Sequence, residues 1–198
     1  KGRALLGLAD TQRALGNMAA ANQHCVQAIK AEVSEREGLV CLARTELLLL
    51  SGNPTLLAEK LAAVAKTASD HLVVGALYVA DHRYNNALPH LTRAANSGLN
   101  PDAGLLLGDS LWATKQDEEA QAAWSKVIDI DPTYAQRIHV RQGLAEMDRF
   151  GPPHWIGQIA PLERVARGDR LASADAHYGI ARVLNASGDF GEASQHFN

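Results

Sequence analysis

Aromatic side chains are scarce, at 5% of the chain, and alanine and leucine carry the apolar content instead, which suits close-packed helices better than sheets. Long apolar runs are missing as well. Leu47 to Leu50 is the longest run of leucine, and no apolar run comes near the roughly 18 residues that a membrane-spanning helix needs. Cysteine occurs twice, at Cys25 and Cys41, too few in 198 residues to imply a disulfide framework. Both fall at apolar positions on adjacent predicted helices, where they could face one another, but we expect plain buried thiols there. Charge of one sign is not in excess. The net charge is -3, with 10 basic and 8 acidic residues in 1–99 against 9 and 14 in 100–198. The acidic second half argues against a nucleic-acid surface. No signal segment is visible. The chain opens on Lys1 rather than methionine, already reading as helix, so we expect a piece of a longer protein.

What remains is an ordinary globular composition, 46% hydrophobic and 21% charged, enough for a sizeable core. Pro101 to Pro132 is its clearest stretch. Leu106, Leu107 and Leu111, then Ala120, Ala123, Trp124, Val127 and Ile128, recur at the spacing of one helical face. Between the two predicted helices lies polar Lys115-Gln116-Asp117, with Asp117, Glu118 and Glu119 where the amide dipoles of a helix start favour negative charge. Asp131-Pro132 stops the second helix, because proline lacks an amide hydrogen and displaces its predecessor from the α region. Two such helices cannot bury both apolar faces alone, which is the logic of a repeat array.

Gly104-x2-Leu107-Gly108-x2-Leu111, Ala120-x3-Trp124 and Pro132 resemble the tetratricopeptide repeat pattern W-x2-L-G-x2-Y, A-x3-F, P. Looser copies run along the chain. His71-x2-Val74-Gly75-x2-Tyr78 with Ala87-x3-Leu91 keeps register, since Gly75 and Ala87 precede Gly108 and Ala120 by the same interval. His177-x2-Ile180-Ala181-x2-Leu184 with Ala193-x3-Phe197 recovers the pattern near the end. Residues 2–34 follow it with Gln12 in a large apolar slot, and 35–67 depart from it, with Arg44-Thr45 where Leu-Gly is expected. Residues 134–172 are irregular. The resemblance implies an all-α solenoid, a single array over 1–198 of about six antiparallel helix pairs (2–34, 35–67, 68–100, 101–133, 134–172, 173–198), wound as a right-handed superhelix with a concave face.

Candidate chemistry is thin. The eight histidines form no H-x3-H, HExxH or Cys-His cluster. His82 and His90 are separated by a predicted turn, His177 and His196 lie on different helices, and His71 and His177 fill equivalent slots, which a structural role explains. No nucleophile elbow or phosphate loop is present. Arg164, Arg167, Arg170 and Arg182 could form an anionic-ligand patch, although interleaved Glu163 and Asp169 fit a solvated helix face. We therefore expect no enzyme activity, cofactor or metal in these residues.

The family resemblance places function on the first helix of each pair, which lines the concave groove. It implies a non-catalytic scaffold for a protein or peptide, touched by Leu72, Ala76, Val79, Leu105, Asp109, Trp112, Tyr178 and Arg182, with Asp102, Ala113, Asp175 and Asn185 beside them. Leu107, Gly108 and Leu111 would pack inward. Leu6 and Asp10 occupy the slots where chaperone-docking relatives carry Lys and Asn, which disfavours that carboxylate clamp. Two other classes stay open. Residues 159–197 resemble the last repeats before the catalytic domain of bacterial tetratricopeptide sulfotransferases, and a periplasmic scaffold for polysaccharide or pilus export would need an upstream signal segment. We expect a cytoplasmic location, with the periplasm as the alternative, and no membrane insertion or nucleic-acid partner.

Overall fold

The computed structural model describes residues 1–49, 52–98, 100–151, 159–169 and 172–197. Among them are twelve α-helices, one 3-10 turn and no strand. The helices are α1 (Gly2–Ala14), α2 (Met18–Lys30), α3 (Glu35–Leu49), α4 (Pro54–Val64), α5 (Ala68–Ala80), α6 (Tyr84–Asn96), α7 (Pro101–Ala113), α8 (Asp117–Ile130), α9 (Ala135–Phe150), α10 (Ile159–Gly168), α11 (Ser173–Ser187) and α12 (Phe190–Phe197). The chain divides into two compact units, Lys1–Thr114 and Lys115–Asn198.

Local chemistry sets the helix ends. Thr67 and Asp70 form a reciprocal capping box at the start of α5, and Asn53 and Asn100 accept the Leu56 and Asp102 amides at the starts of α4 and α7. Proline at the first position of α4 and α7 costs nothing, since that amide hydrogen has no helical partner. Pro89 is the sixth residue of α6, on an exposed side. Three first helices close alike: Asn17, Arg83 and Asp189 amides return to the carbonyls of Gln12, Tyr78 and Leu184 at 2.8–2.9 Å. That closure puts a left-handed residue at the turn, Gly16, His82 and Gly188, and Lys115 takes the same conformation after α7.

In Lys1–Thr114 the main core joins α3 to α6: Leu39, Ala43, Ala58, Leu61, Val74, Leu77 and Leu91 are buried together, with Leu106 and Leu107 of α7 packed against them. Close helix approach depends on glycine. A Cβ on Gly75 would stand 2.5 Å from Leu91 Cδ2, so only glycine lets α5 and α6 meet there. In Lys115–Asn198, Val140, Leu144, Leu162, Ile180, Val183 and Leu184 form the core of α9, α10 and α11, joined by Ala193 of α12. Trp124 of α8 has no exposed surface.

One expectation fails in the first unit. Cys25 and Cys41 are joined by a disulfide, tying α2 to α3, rather than lying as separate thiols.

Candidate functional site

The first helices α1, α3 and α5 line an open cleft of about 250 Å³ in Lys1–Thr114. Leu6 and Val40 contribute to its apolar wall, and its charge comes from Arg13, Arg36 and Arg44 set among Asp10, Glu37, Asp70, Thr67 and Ser69.

Arg13, near the end of α1, is tied on every side. It pairs with Asp10 one turn earlier. One terminal nitrogen crosses to α3, donating to the Cys41 carbonyl at 3.2 Å and the Thr45 hydroxyl at 3.1 Å, and lies 3.7 Å from Cys41 Sγ and 3.9 Å from Cys25 Sγ. Burial, with the like charge of Arg44, holds its pKa below the ordinary arginine value. Thr45 is 1% exposed and donates in turn to the Cys41 carbonyl at 3.0 Å. Its hydroxyl is therefore satisfied both ways, which is how a polar residue is accommodated where the repeat pattern wants glycine.

Arg36, at the start of α3, spans both oxygens of Asp70 at 2.9 and 3.1 Å. Asp70 also accepts the Lys66 and Thr67 amides, each at 2.9 Å. Burial would raise this carboxyl, but those amides, the Thr67 hydroxyl and Arg36 outweigh it and hold the pKa below the usual carboxylate range. Arg44 differs from its two neighbours. Its bond is to the Ser69 hydroxyl, long at 3.5 Å, and no carboxylate among the described residues pairs with it. It is the cation in the cleft that remains available to a ligand.

In Lys115–Asn198 the first helices α9 and α11 carry a second polar cluster. Arg137 and Arg141 each direct Nε to Asp175 Oδ2, at 3.1 and 3.2 Å. Arg182 reaches Asp148 at 2.6 Å and lies 5.7 Å over the ring of Tyr178. Tyr178 is 49% exposed, so an aromatic face backed by a cation is open to solvent.

The residues expected to bind a partner separate into three groups. Tyr178 and Arg182 are brought together as described. Leu72, Ala76 and Val79 on α5 and Asp109 and Trp112 on α7 are half-buried, with Leu72 and Val79 packed against the main core. Leu105, expected to face the groove, is instead 1% exposed, an apolar side chain closed off from water rather than offered to a partner. Gly108 is buried and Leu107 and Leu111 are half-buried. Of the second-half arginines, Arg167 pairs with Glu163 along exposed α10 at 2.9 Å, a solvated face, while Arg170 lies outside the described residues.

The cleft around Arg13, Arg36 and Arg44 was not anticipated. The signal for it was the Arg44-Thr45 departure from the Leu-Gly of the repeat, a place where two polar residues displace two packing ones.

The tetratricopeptide repeat family profile matches residues 102–134. No curated protein matches the chain. Among solved structures, the crystal structure of MamA superimposes with a TM-score of 0.55 at 18% identity, over 96% of this chain and 90% of that one. The sequence match and the consecutive helix pairs agree: residues 102–134 match the tetratricopeptide repeat family, and the described residues form an all-helical repeat fold.

Proposed function

We propose that this protein is a non-catalytic scaffold, and that an extended protein or peptide segment docks on the first-helix face of Lys1–Thr114. The observation that carries this reading is the cleft among α1, α3 and α5, where two arginines are neutralised in place and Arg44 is left without a carboxylate. A repeat array suits such a role because its receptor surface is ordered before binding, so association does not bear that entropy. Asp109 and Trp112, with Leu72, Ala76 and Val79, extend the surface along α5 and α7, and Trp112 is the residue type most often found as an anchor. In the second unit, Tyr178 and Arg182 offer a further contact. The test is site-specific photocrosslinking in cells. Probes at Val40, Arg44 and Trp112 should capture the same protein, and a probe at exposed Gln27 on α2 should not. Equal capture from both faces would overturn the assignment.

The Cys25–Cys41 disulfide favours one location over the other. Disulfides persist in oxidising compartments and are rare in the cytosol, so an extracytoplasmic scaffold fits these residues better than a cytoplasmic one. Thiol alkylation of freshly lysed cells followed by mass spectrometry should find both cysteines blocked; free thiols at both positions would return the protein to the cytosol.

A further inference from the structure

Among the described residues the same juxtaposition of histidines occurs in each unit. His71 on α5 faces His90 on α6, Nδ1 to Nδ1 at 3.0 Å, and His177 on α11 faces His196 on α12, Nδ1 to Nδ1 at 2.9 Å. The ring geometry repeats too. Centroids stand 5.2 and 5.1 Å apart, with planes inclined at 40° and 36°. Each pair joins the first helix of a repeat to the second, across an equal sequence interval of 19 residues. A tautomer with hydrogen on one Nδ1 and a lone pair on the other satisfies this approach, but the tetratricopeptide packing requires neither residue, since other repeats of this chain close without them.

We propose that each histidine pair is a binding site for one divalent copper ion, held by the two facing Nδ1 atoms. Imidazole is a favoured ligand for copper, nickel and zinc, and geometry separates them. With metal–nitrogen bonds of about 2.0–2.1 Å, nitrogens 2.9–3.0 Å apart subtend roughly 87–97° at the metal, which is a cis pair of a square plane, whereas a tetrahedral zinc would need them about 3.3 Å apart. Copper also binds nitrogen sites most tightly of the divalent first-row ions.

Among the described residues no third histidine, cysteine or carboxylate completes either cluster, so water would fill the remaining positions. Binding requires neutral rings with both Nδ1 lone pairs free. The ring that carries hydrogen on Nδ1 moves it to Nε2 through solvent, so no proton is released from the neutral pair and no electron is transferred.

The test is a Cu2+ titration of the purified chain in a non-coordinating buffer, followed by calorimetry and electron paramagnetic resonance, with helicity checked by circular dichroism. Wild type should bind two ions more than His90→Gln/His196→Gln, and each single variant should lose one. His71→Gln should match His90→Gln in stoichiometry, and the copper signal should show coupling to two nitrogens. Copper should also raise the thermal midpoint of wild type and leave that of the double variant unchanged, as linkage demands of a ligand bound only by the native fold. If the folded double variant binds as much copper as wild type, through the other histidines or elsewhere, the proposal is wrong. A larger thermal shift with Zn2+ than with Cu2+ would overturn the choice of metal.

Discussion

The Arg13 guanidinium donates to the Cys41 carbonyl across the gap between two neighbouring first helices, at 3.2 Å. The same nitrogen bonds Thr45, so one α1 side chain satisfies two polar groups of α3. Replacing Arg13 by Met keeps much of the apolar stem and removes the donors. Thr45 is closed off from water and would lose its charged partner. We expect a loss of about 1–3 kcal/mol, read from urea denaturation. A variant as stable as wild type would show that Arg13 acts only on the cleft.

Reduction of Cys25–Cys41 should weaken the first unit and spare the second. The bridge closes 16 residues of sequence separation, for which the chain-entropy account gives about 3 kcal/mol. Hydrogen exchange with and without reductant is the measurement. Protection should fall in α1, α2 and α3 and hold in α11.

Two glycines in helix interiors should respond to alanine in opposite directions. A methyl on Gly75 meets Leu91 at 2.5 Å, and overpacking of this kind costs about 1–3 kcal/mol. Around Gly143, inside α9, none of the described residues lies within 4 Å of a new Cβ. There the gain in helix propensity should stabilise by about 0.8–1 kcal/mol. Thermal melts of Gly75→Ala and Gly143→Ala should move down and up respectively.

His82 and Lys115 hold left-handed backbones, φ 55° and 64°, at turns where Gly16 and Gly188 hold theirs without strain. Lys115→Gly should therefore raise stability by a few tenths to about 1 kcal/mol, the relief of a side chain in that region exceeding the entropy that glycine adds to the unfolded chain. A lower melting midpoint would mean that the lysine stem contributes packing there.

In the cleft, Arg44→Glu should reduce affinity for the protein captured by the Val40 probe by tenfold or more, since a charge reversal both removes an attraction and adds a repulsion. Circular dichroism should stay unchanged, because Arg44 is exposed. Unaltered affinity would remove Arg44 from the docking surface.

The helices themselves were legible because their signals are local. The Asp131 stop after α8 and the acidic start of that helix at Asp117 each rest on a few adjacent residues. Features made by side chains from different helices were not. Whether Cys25 and Cys41 meet depends on how α2 and α3 are rotated about their axes, and a helical period alone does not fix that rotation. His71 and His90 are 19 residues apart in sequence, a spacing that belongs to no single-helix metal motif, so nothing in the string pairs them. Leu105 is a related case: its assigned face came from the repeat register, which says nothing of which neighbouring side chains cover it, and it is buried.

Arginine ties recur between neighbouring first helices: Arg13 to α3, Arg36 to Asp70 of α5, and Arg137 and Arg141 of α9 to Asp175 of α11. In a linear chain of repeats each of these belongs to the coupling between adjacent members rather than to the intrinsic stability of either. Weakening them shortens the distance over which the array melts as one. Their removal would thus broaden an unfolding transition before it displaced its midpoint, and local opening of single helix pairs would become a populated event within an otherwise intact protein.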